Sequence, residues 1–303
     1  PEARRPVHAV RHRMAALGYF ETVNYSFVDE RWERELHGEA NPIRVLNPIA
    51  SQMSVMRTSL LGSLVGALRA NLARKTPRAR LFEIGRVYHR RTRAQDGPVS
   101  VRGLDQPLRL AALAFGPSDD PQWGLKERLV DFFDVKGDLE QLFAPQSLKL
   151  VAAAHPALHP GRSAQVFVDG QPAGFIGELH PRWRQAYELP SAPVLFEIDF
   201  AVLAHRPLPQ PQPLARHHSA WRDLALVVGD GVGHDALMEV VNTAGAEHLR
   251  SAALFDVFRP AQPTAEIGAG ERSLAVRLEL RDDAQTLTDE RIEADVARIV
   301  QGL

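Results

Sequence analysis

With 303 residues, 45% of them hydrophobic and 24% charged, the chain is long for one compact domain, comfortable for two and able to bury a real core. No run of about 18 apolar residues offers a membrane-spanning helix, and the absence of cysteine excludes disulfides, thiolate metal sites and thiol nucleophiles, which suits a reducing compartment. The formal charge of −1 hides an asymmetry: residues 205–303 hold 10 basic and 15 acidic side chains, leaving the front of the chain at +4 and the back at −5. Neither part is a polybasic nucleic-acid binder by bulk charge, so any RNA contact must come from local patches and stacking. The opening PEARRPVHAV lacks a signal-peptide apolar core, and a start on Pro1 without Met suggests a piece of a longer protein.

In chain order, VHAVRHRMAAL predicts an amphipathic helix ending near Gly18, with a strand at 22–28. An irregular turn at Asn47-Pro48 follows, then a helix from about Thr58 with apolar residues at Leu60, Leu61, Leu64, Val65 and Leu68. RLFEIGRVYHRR, LRLAALAF, AQVFVDG and VLFEIDF predict strands, and DVKGDLEQLF a helix. The prolines of RPLPQPQPLARHH, residues 206–218, hold the backbone extended and mark a linker. After it come a strand at 222–228, a helix at 234–246, strands at 251–258 and 272–280, and a helix at 288–300. That β-α-β-β-α order is one strand short of the ferredoxin-like βαββαβ unit. Thr288 is an incomplete N-cap, because Arg291 stands where a capping box wants Glu or Gln. The fold class is α+β: an antiparallel sheet domain followed by a ferredoxin-like domain.

Several motifs admit a chemical and a bland reading. His155 and His159 have the i, i+4 spacing of a helical metal pair, but Pro156 and Pro160 break the helix that would align them, so a packed, turn-forming segment is expected and no metal site. Arg69 to Arg93 gathers Arg69, Arg74, Lys75, Arg78, Arg80, Arg86, Arg90, Arg91 and Arg93 against Glu83 alone; it reads as a solvated face, an RNA patch or a partner surface and stays unassigned. Gly268-Ala-Gly270-Glu-Arg272 has the look of a nucleotide-binding glycine motif, yet it precedes an alternating strand rather than a helix and reads as a hairpin loop. From the residues alone Phe258 is either a core strand residue or a ring at a sheet edge able to stack on a base, with Arg259 near enough to reach phosphate.

The order NPIASQMSVMRTSLL, RLFEIGRVY, DFFDVKGDLE, HPGRSA, GELHP and then LFDVF, GERSLAVRLEL and TLTDE closely resembles the C-terminal part of the bacterial phenylalanyl-tRNA synthetase β subunit, over essentially the whole chain. The resemblance implies a class II aminoacyl-tRNA synthetase-like domain at residues 1–204, a linker at 205–211 and a ferredoxin-fold anticodon-binding domain at 212–303. It implies a cytoplasmic enzyme in which this segment scaffolds a catalytic α subunit in an (αβ)2 heterotetramer and binds tRNA(Phe). ATP and Mg2+ would be used by the assembled enzyme, with no cofactor, metal or catalytic residue in this segment; an autonomous RNA-binding module is the alternative. Class II enzymes clamp the ATP α-phosphate with the Arg of F-R-x-E. Here the run is Tyr88-His89-Arg90-Arg91, with histidine for the clamp and arginine for the acid. In the resembling anticodon domain the wobble base lies near the positions of Phe258 and Ser273, giving an RNA site of Phe258, Arg259, Arg272 and Ser273. The first helix and strand of class II folds form subunit contacts, so Val10, Met14 and Leu17, with the segment at Arg57, are the expected interface with the α subunit.

Overall fold

The computed structural model describes residues 3–39, 41–91, 95–97, 100–208, 211 and 214–303. The chain divides into two compact units, Pro1–Pro209 and Gln210–Leu303.

The first unit opens with α1 (Val7–Ala16), closed by Gly18 in the left-handed conformation at φ +83°. Of the strand expected at 22–28 only β2 (Phe27–Val28) forms, and a separate short strand, β1 (Phe20–Glu21), precedes that range. After β1 the Thr22 amide donates to the Phe82 carbonyl at 2.7 Å, continuing the contact with the neighbouring strand, and the Asn24 side-chain amide donates to Glu83 at 2.7 Å. After α2 (Glu30–His37) and β3 (Val55–Met56), α3 runs Leu61–Ala73, three residues later than the periodicity suggests. Thr58 and Ser59 are held outside the helix because distant carboxylates claim their hydroxyls. Next come β4 (Ala79–Arg86), β5 (His89–Arg90), β6 (Ser100–Val101), β7 (Leu104–Asp105) and β8 (Leu108–Phe115). The unit closes with α4 (Phe132–Phe143), β9 (Leu148–Ala152), β10 (Leu158–Val168), β11 (Gln171–Leu179), α5 (Pro181–Ala186), β12 (Val194–Asp199) and α6 (Phe200–Ala204).

Seven strands form one sheet in the order β1-β4-β8-β12-β11-β10-β9, antiparallel except for the β1–β4 pair. Successive side chains point to opposite faces, so both sides of the central strands are apolar. Phe82, Leu110, Ala112, Phe196 and Ile198 face α1 and α4, where Val10, Met14, Leu139 and Phe143 complete the layer. Leu81, Ala111, Leu113 and Leu195 face the other way, against Leu64 and Leu68 of α3, Leu36 of α2 and Trp183 of α5. The start of α4 is fixed by a reciprocal cap in which Asp131 accepts from Asp134 N and Asp134 from Asp131 N.

In the second unit, β13 (Ala220–Gly229), α7 (His234–Thr243), β14 (Leu249–Phe258), β15 (Glu271–Leu280) and α8 (Asp289–Gly302) follow the expected order. The sheet order is β13-β15-β14, the 1-3-2 core of a ferredoxin-like fold. Both helices pack on one face, where Leu237, Val241 and Ile299 meet Leu274, Val276 and Leu278. Thr288 precedes α8 without a side-chain capping bond. The helix is pinned instead by Asp295, which accepts from His248 Nδ1 at 2.6 Å and Arg298 at 3.0 Å, while Arg291 donates to His248 Nε2 at 2.7 Å.

Candidate nucleic-acid interface and synthetase-like cleft

On the α3 side of the large sheet, beyond the apolar layer, lies a cavity of about 390 Å³ whose lining includes His37, His89, His155, Arg109, Phe175 and Glu197. Its floor requires Gly174: at φ +155° a Cβ there would come 2.0 Å from the Glu197 carbonyl oxygen. Burial, then repulsion from His155 and His89, pushes the His37 imidazole down to about 3. Burial alone lowers His155 to about 4, with its ring stacked on Phe175 at 4.0 Å. His89, which the resemblance sets against the clamp arginine, is also lowered, first by burial and then by Arg109 and Arg91. All three rings are therefore neutral near pH 7. Arg109 has its Nη1 3.4 Å from Asp199. Burial raises Glu197 although it accepts from the Ser59 hydroxyl at 2.6 Å and the Leu60 amide at 2.8 Å. Through those two bonds a carboxylate on β12 satisfies the amino end of α3.

The neighbouring polar groups are spent in the same way. Arg57 and Glu83 form a buried pair at 2.7 Å, with Arg57 Nε donating to the Arg86 carbonyl at 3.0 Å. Glu33 accepts the Thr58 amide at 3.0 Å and the Thr58 hydroxyl, yet burial outweighs these bonds and lifts it to about 7. Part of the basic run is tied down as well: Arg80 donates to Asp138 at 2.6 Å, Arg78 to the Pro117 and Ser118 carbonyls, Arg86 to the Gln106 carbonyl, and Arg91 lies 3.2 Å from Asp105, while Lys75 and Arg90 are exposed. Arg93 lies outside the described residues. His155 and His159 act as turn acceptors, each taking a backbone amide two residues on.

The expected interface stripe is corrected by its burial. Val10 and Met14 are each 1% exposed and packed in the chain's own core, with Leu17 against them. The cover is α4, which the sequence reading did not place there. Arg57, 2% exposed, is bound to Glu83 rather than displayed. The apolar surface at this end is instead Phe20, Val23 and Tyr25, on and after the edge strand β1.

In the second unit the sheet face away from the helices is open. Phe258 stands directly across from Ser273, as a stacking ring beside a hydroxyl would require, and is 56% exposed. Arg259 continues past the strand end and pairs with Asp230 at 2.7 Å, an exposed pair. Arg272 does not join them. It alternates with Ser273, so it points to the helix side and donates to the Val232 carbonyl at 2.7 Å. The Gly268–Gly270 stretch lies in the connection between β14 and β15, with Gly270 at φ +78°.

The same open face carries residues the sequence reading missed. Arg277 is held by Asp223 through two bonds of 2.8 Å, and its guanidinium lies 4.8 Å from the Phe255 ring centroid. The alternation of RSLAVRLEL places Arg277 with Ser273, so half of this was available from sequence. Phe255 was not, since a register shift between Leu254 and Asp256 turns it onto this face.

A large, mainly antiparallel sheet domain covered by helices, followed in the chain by a ferredoxin-like domain, is the class these two units define. Residues 1–200 match the family model described as the phenylalanyl tRNA synthetase beta chain CLM domain, and residues 215–303 the ferredoxin-fold anticodon binding domain. The phenylalanine–tRNA ligase beta subunit of Cupriavidus pinatubonensis is 47% identical over 100% of this chain, and that of Burkholderia pseudomallei 51% identical over 99%. The chain belongs to the phenylalanyl-tRNA synthetase β-subunit family. It spans 38% of the length of each of those relatives. A pyrrolysyl-tRNA synthetase of Desulfitobacterium hafniense matches over 66% of each chain at 13% identity and a TM-score of 0.46.

Proposed function

We propose that this segment is the non-catalytic half of a phenylalanine–tRNA ligase subunit pair. Its first unit braces the catalytic α subunit and its second holds the tRNA(Phe) anticodon during ATP- and Mg2+-dependent charging in a cytoplasmic (αβ)2 heterotetramer. The observation that carries this is the chemistry of the cleft. A triphosphate needs free cations, and here the arginine of the lining faces Asp199 while the histidine in the clamp position is neutral. The net charge of −5 on residues 205–303 argues against a free-standing RNA binder, because such binding rests on phosphate neutralisation. The folded chain alone should give no phenylalanine-dependent exchange of pyrophosphate into ATP, whereas adding the α subunit restores exchange. Exchange by the chain alone would overturn the assignment.

The surface offered for the α subunit is the apolar strip of Phe20, Val23 and Tyr25. An exposed edge strand with large apolar side chains is a liability unless something covers it.

A further inference from the structure

We propose that the open sheet face of the second unit carries a second base platform, Phe255 with Arg277, held in place by Asp223, so that the domain stacks two neighbouring unpaired bases rather than one. The proposal rests on the reading that this unit holds the anticodon, and it adds the residues for a second base.

Four observations carry it. The ring of Phe255 is 52% exposed, on the same face as Phe258. The Arg277 guanidinium is fixed from two directions, by the paired bonds of Asp223 and by the Phe255 ring beneath it. Such a plane is preorganised, and a guanidinium stacks on a base as well as an aromatic ring does. Next, Ala225 and Ala275 face each other across β13 and β15 between this pair and the Phe258–Ser273 rung. Ser273 to Arg277 spans four residues, about 13 Å along the strand, and the two alanines leave a low stretch between the platforms, bordered on β14 by the exposed Asp256 opposite Ala275. Finally, two of the carboxylates beside the platform are already engaged, while Asp256, opposite Ala275, accepts the Val257 amide at 2.8 Å. Asp223 is lowered by its bonds to Arg277, and Glu279 is lowered by hydroxyl donation from Ser219 and Ser251. The ion pair offsets the charge that Asp223 would present to RNA, while Glu279 stays anionic with Arg281 3.9 Å away.

Asp223 is a positioning residue, since it acts through Arg277. If it is neutralised the guanidinium loses its tether and the platform its orientation, while the Phe255 ring stays.

The test uses the full-length α/β enzyme and tRNA(Phe) transcripts in which one anticodon nucleotide at a time is abasic. With intact tRNA, Phe255→Leu and Arg277→Met should each raise Kd about five- to hundredfold, and Asp223→Asn by less. On one abasic tRNA the Phe255→Leu and Arg277→Met effects should vanish together, and on the tRNA abasic at the adjacent position the Phe258→Ala effect should vanish. Pyrophosphate exchange, which needs no tRNA, should be unchanged in every variant and serves as the folding control. If Phe258→Ala weakens binding while Phe255→Leu and Arg277→Met do not, the second platform is wrong and the anticodon reading stands. If no variant changes tRNA binding, both fall. Loss that is equal on every abasic tRNA would also overturn the platform, because it would mean a general structural or electrostatic role.

Discussion

Replacing Arg57 by methionine separates a structural role from an assembly role for the segment that joins α2 to α3. The side chain keeps its apolar bulk but loses Nη1, 2.7 Å from Glu83, and Nε, 3.0 Å from the Arg86 carbonyl. Glu83 would be left 3% exposed with the Asn24 amide, at 2.7 Å, as its remaining named donor. An uncompensated buried charge of this kind costs about 3–5 kcal/mol, and the orphaned carbonyl adds to it. Adding Glu83→Gln removes the stranded charge while keeping an acceptor for Asn24, so the double variant should recover about 2 kcal/mol of the loss. Urea unfolding followed by tryptophan fluorescence is the assay. Trp32 is a local reporter, lying so close over α3 that a Cβ on Gly62 would approach it to 2.7 Å. If Arg57→Met unfolds within about 1 kcal/mol of wild type while assembly with the α subunit is lost, Arg57 belongs to an interface after all and the buried-pair argument fails.

Two further outcomes follow from burial and charge. Glu33 titrates at 4.5 unfolded and about 7 folded, so the unfolded chain gives up this proton first as pH rises. Between those values stability must fall with increasing pH, by about 3 kcal/mol from this group, and Glu33→Gln should flatten that slope in urea midpoints measured from pH 5 to 8; parallel wild-type and variant slopes would refute it. His37 and His155 act with the opposite sign: they stay neutral when folded, so stability is lost as pH drops from 6.5 towards about 4 and 3. For the α-subunit surface, Val23→Glu, at a position 92% exposed, should leave the chain folded and weaken assembly at least tenfold by sedimentation. Met14→Glu should unfold the first unit instead, and assembly unaffected by Val23→Glu would remove Phe20, Val23 and Tyr25 from the interface.

What the sequence disclosed depended on how local the cause was. The second unit was legible because strands of period two and helices of period 3.6 alternate with clear turns, and its helices bury one sheet face only. The pairing of Phe258 with Ser273 followed from the hairpin between β14 and β15. Arg272 went astray by one position, which in a strand is the whole difference between two faces. In the first unit, the amphipathic α1 was visible but its partner was not: α4 lies more than a hundred residues away, and the same stripe would suit another subunit equally well. The late start of α3 was beyond reach for the same reason, since Glu33 and Glu197 bind Thr58 and Ser59 across 25 and 138 residues.

The two units use charge in opposite ways, and this difference bears on function more directly than either fold does. In the first unit Glu83 meets Arg57, Glu197 holds the amino end of α3, Glu33 holds Thr58 and Arg109 faces Asp199. The Arg57–Glu83 pair is almost fully shielded from solvent, so releasing either member would strand the other at a cost of several kcal/mol, and Glu33 and Glu197 are buried with their hydroxyl and amide donors. Around this cleft the carboxylates are committed to holding the fold, with His37 Nε2 and Arg109 Nε buried in its lining and unpaired among the described residues. In the second unit the pairs Arg259–Asp230 and Arg277–Asp223 are about half exposed. Solvent-exposed pairs of this kind contribute little to stability, so a phosphate can take Arg259 from Asp230 at little cost. Arg277 is kept by two bonds and a ring, so it can present its plane without surrendering its partner. RNA binding on this face should therefore depend on salt chiefly through Arg259 and on base identity or presence through Phe255, Phe258 and Arg277.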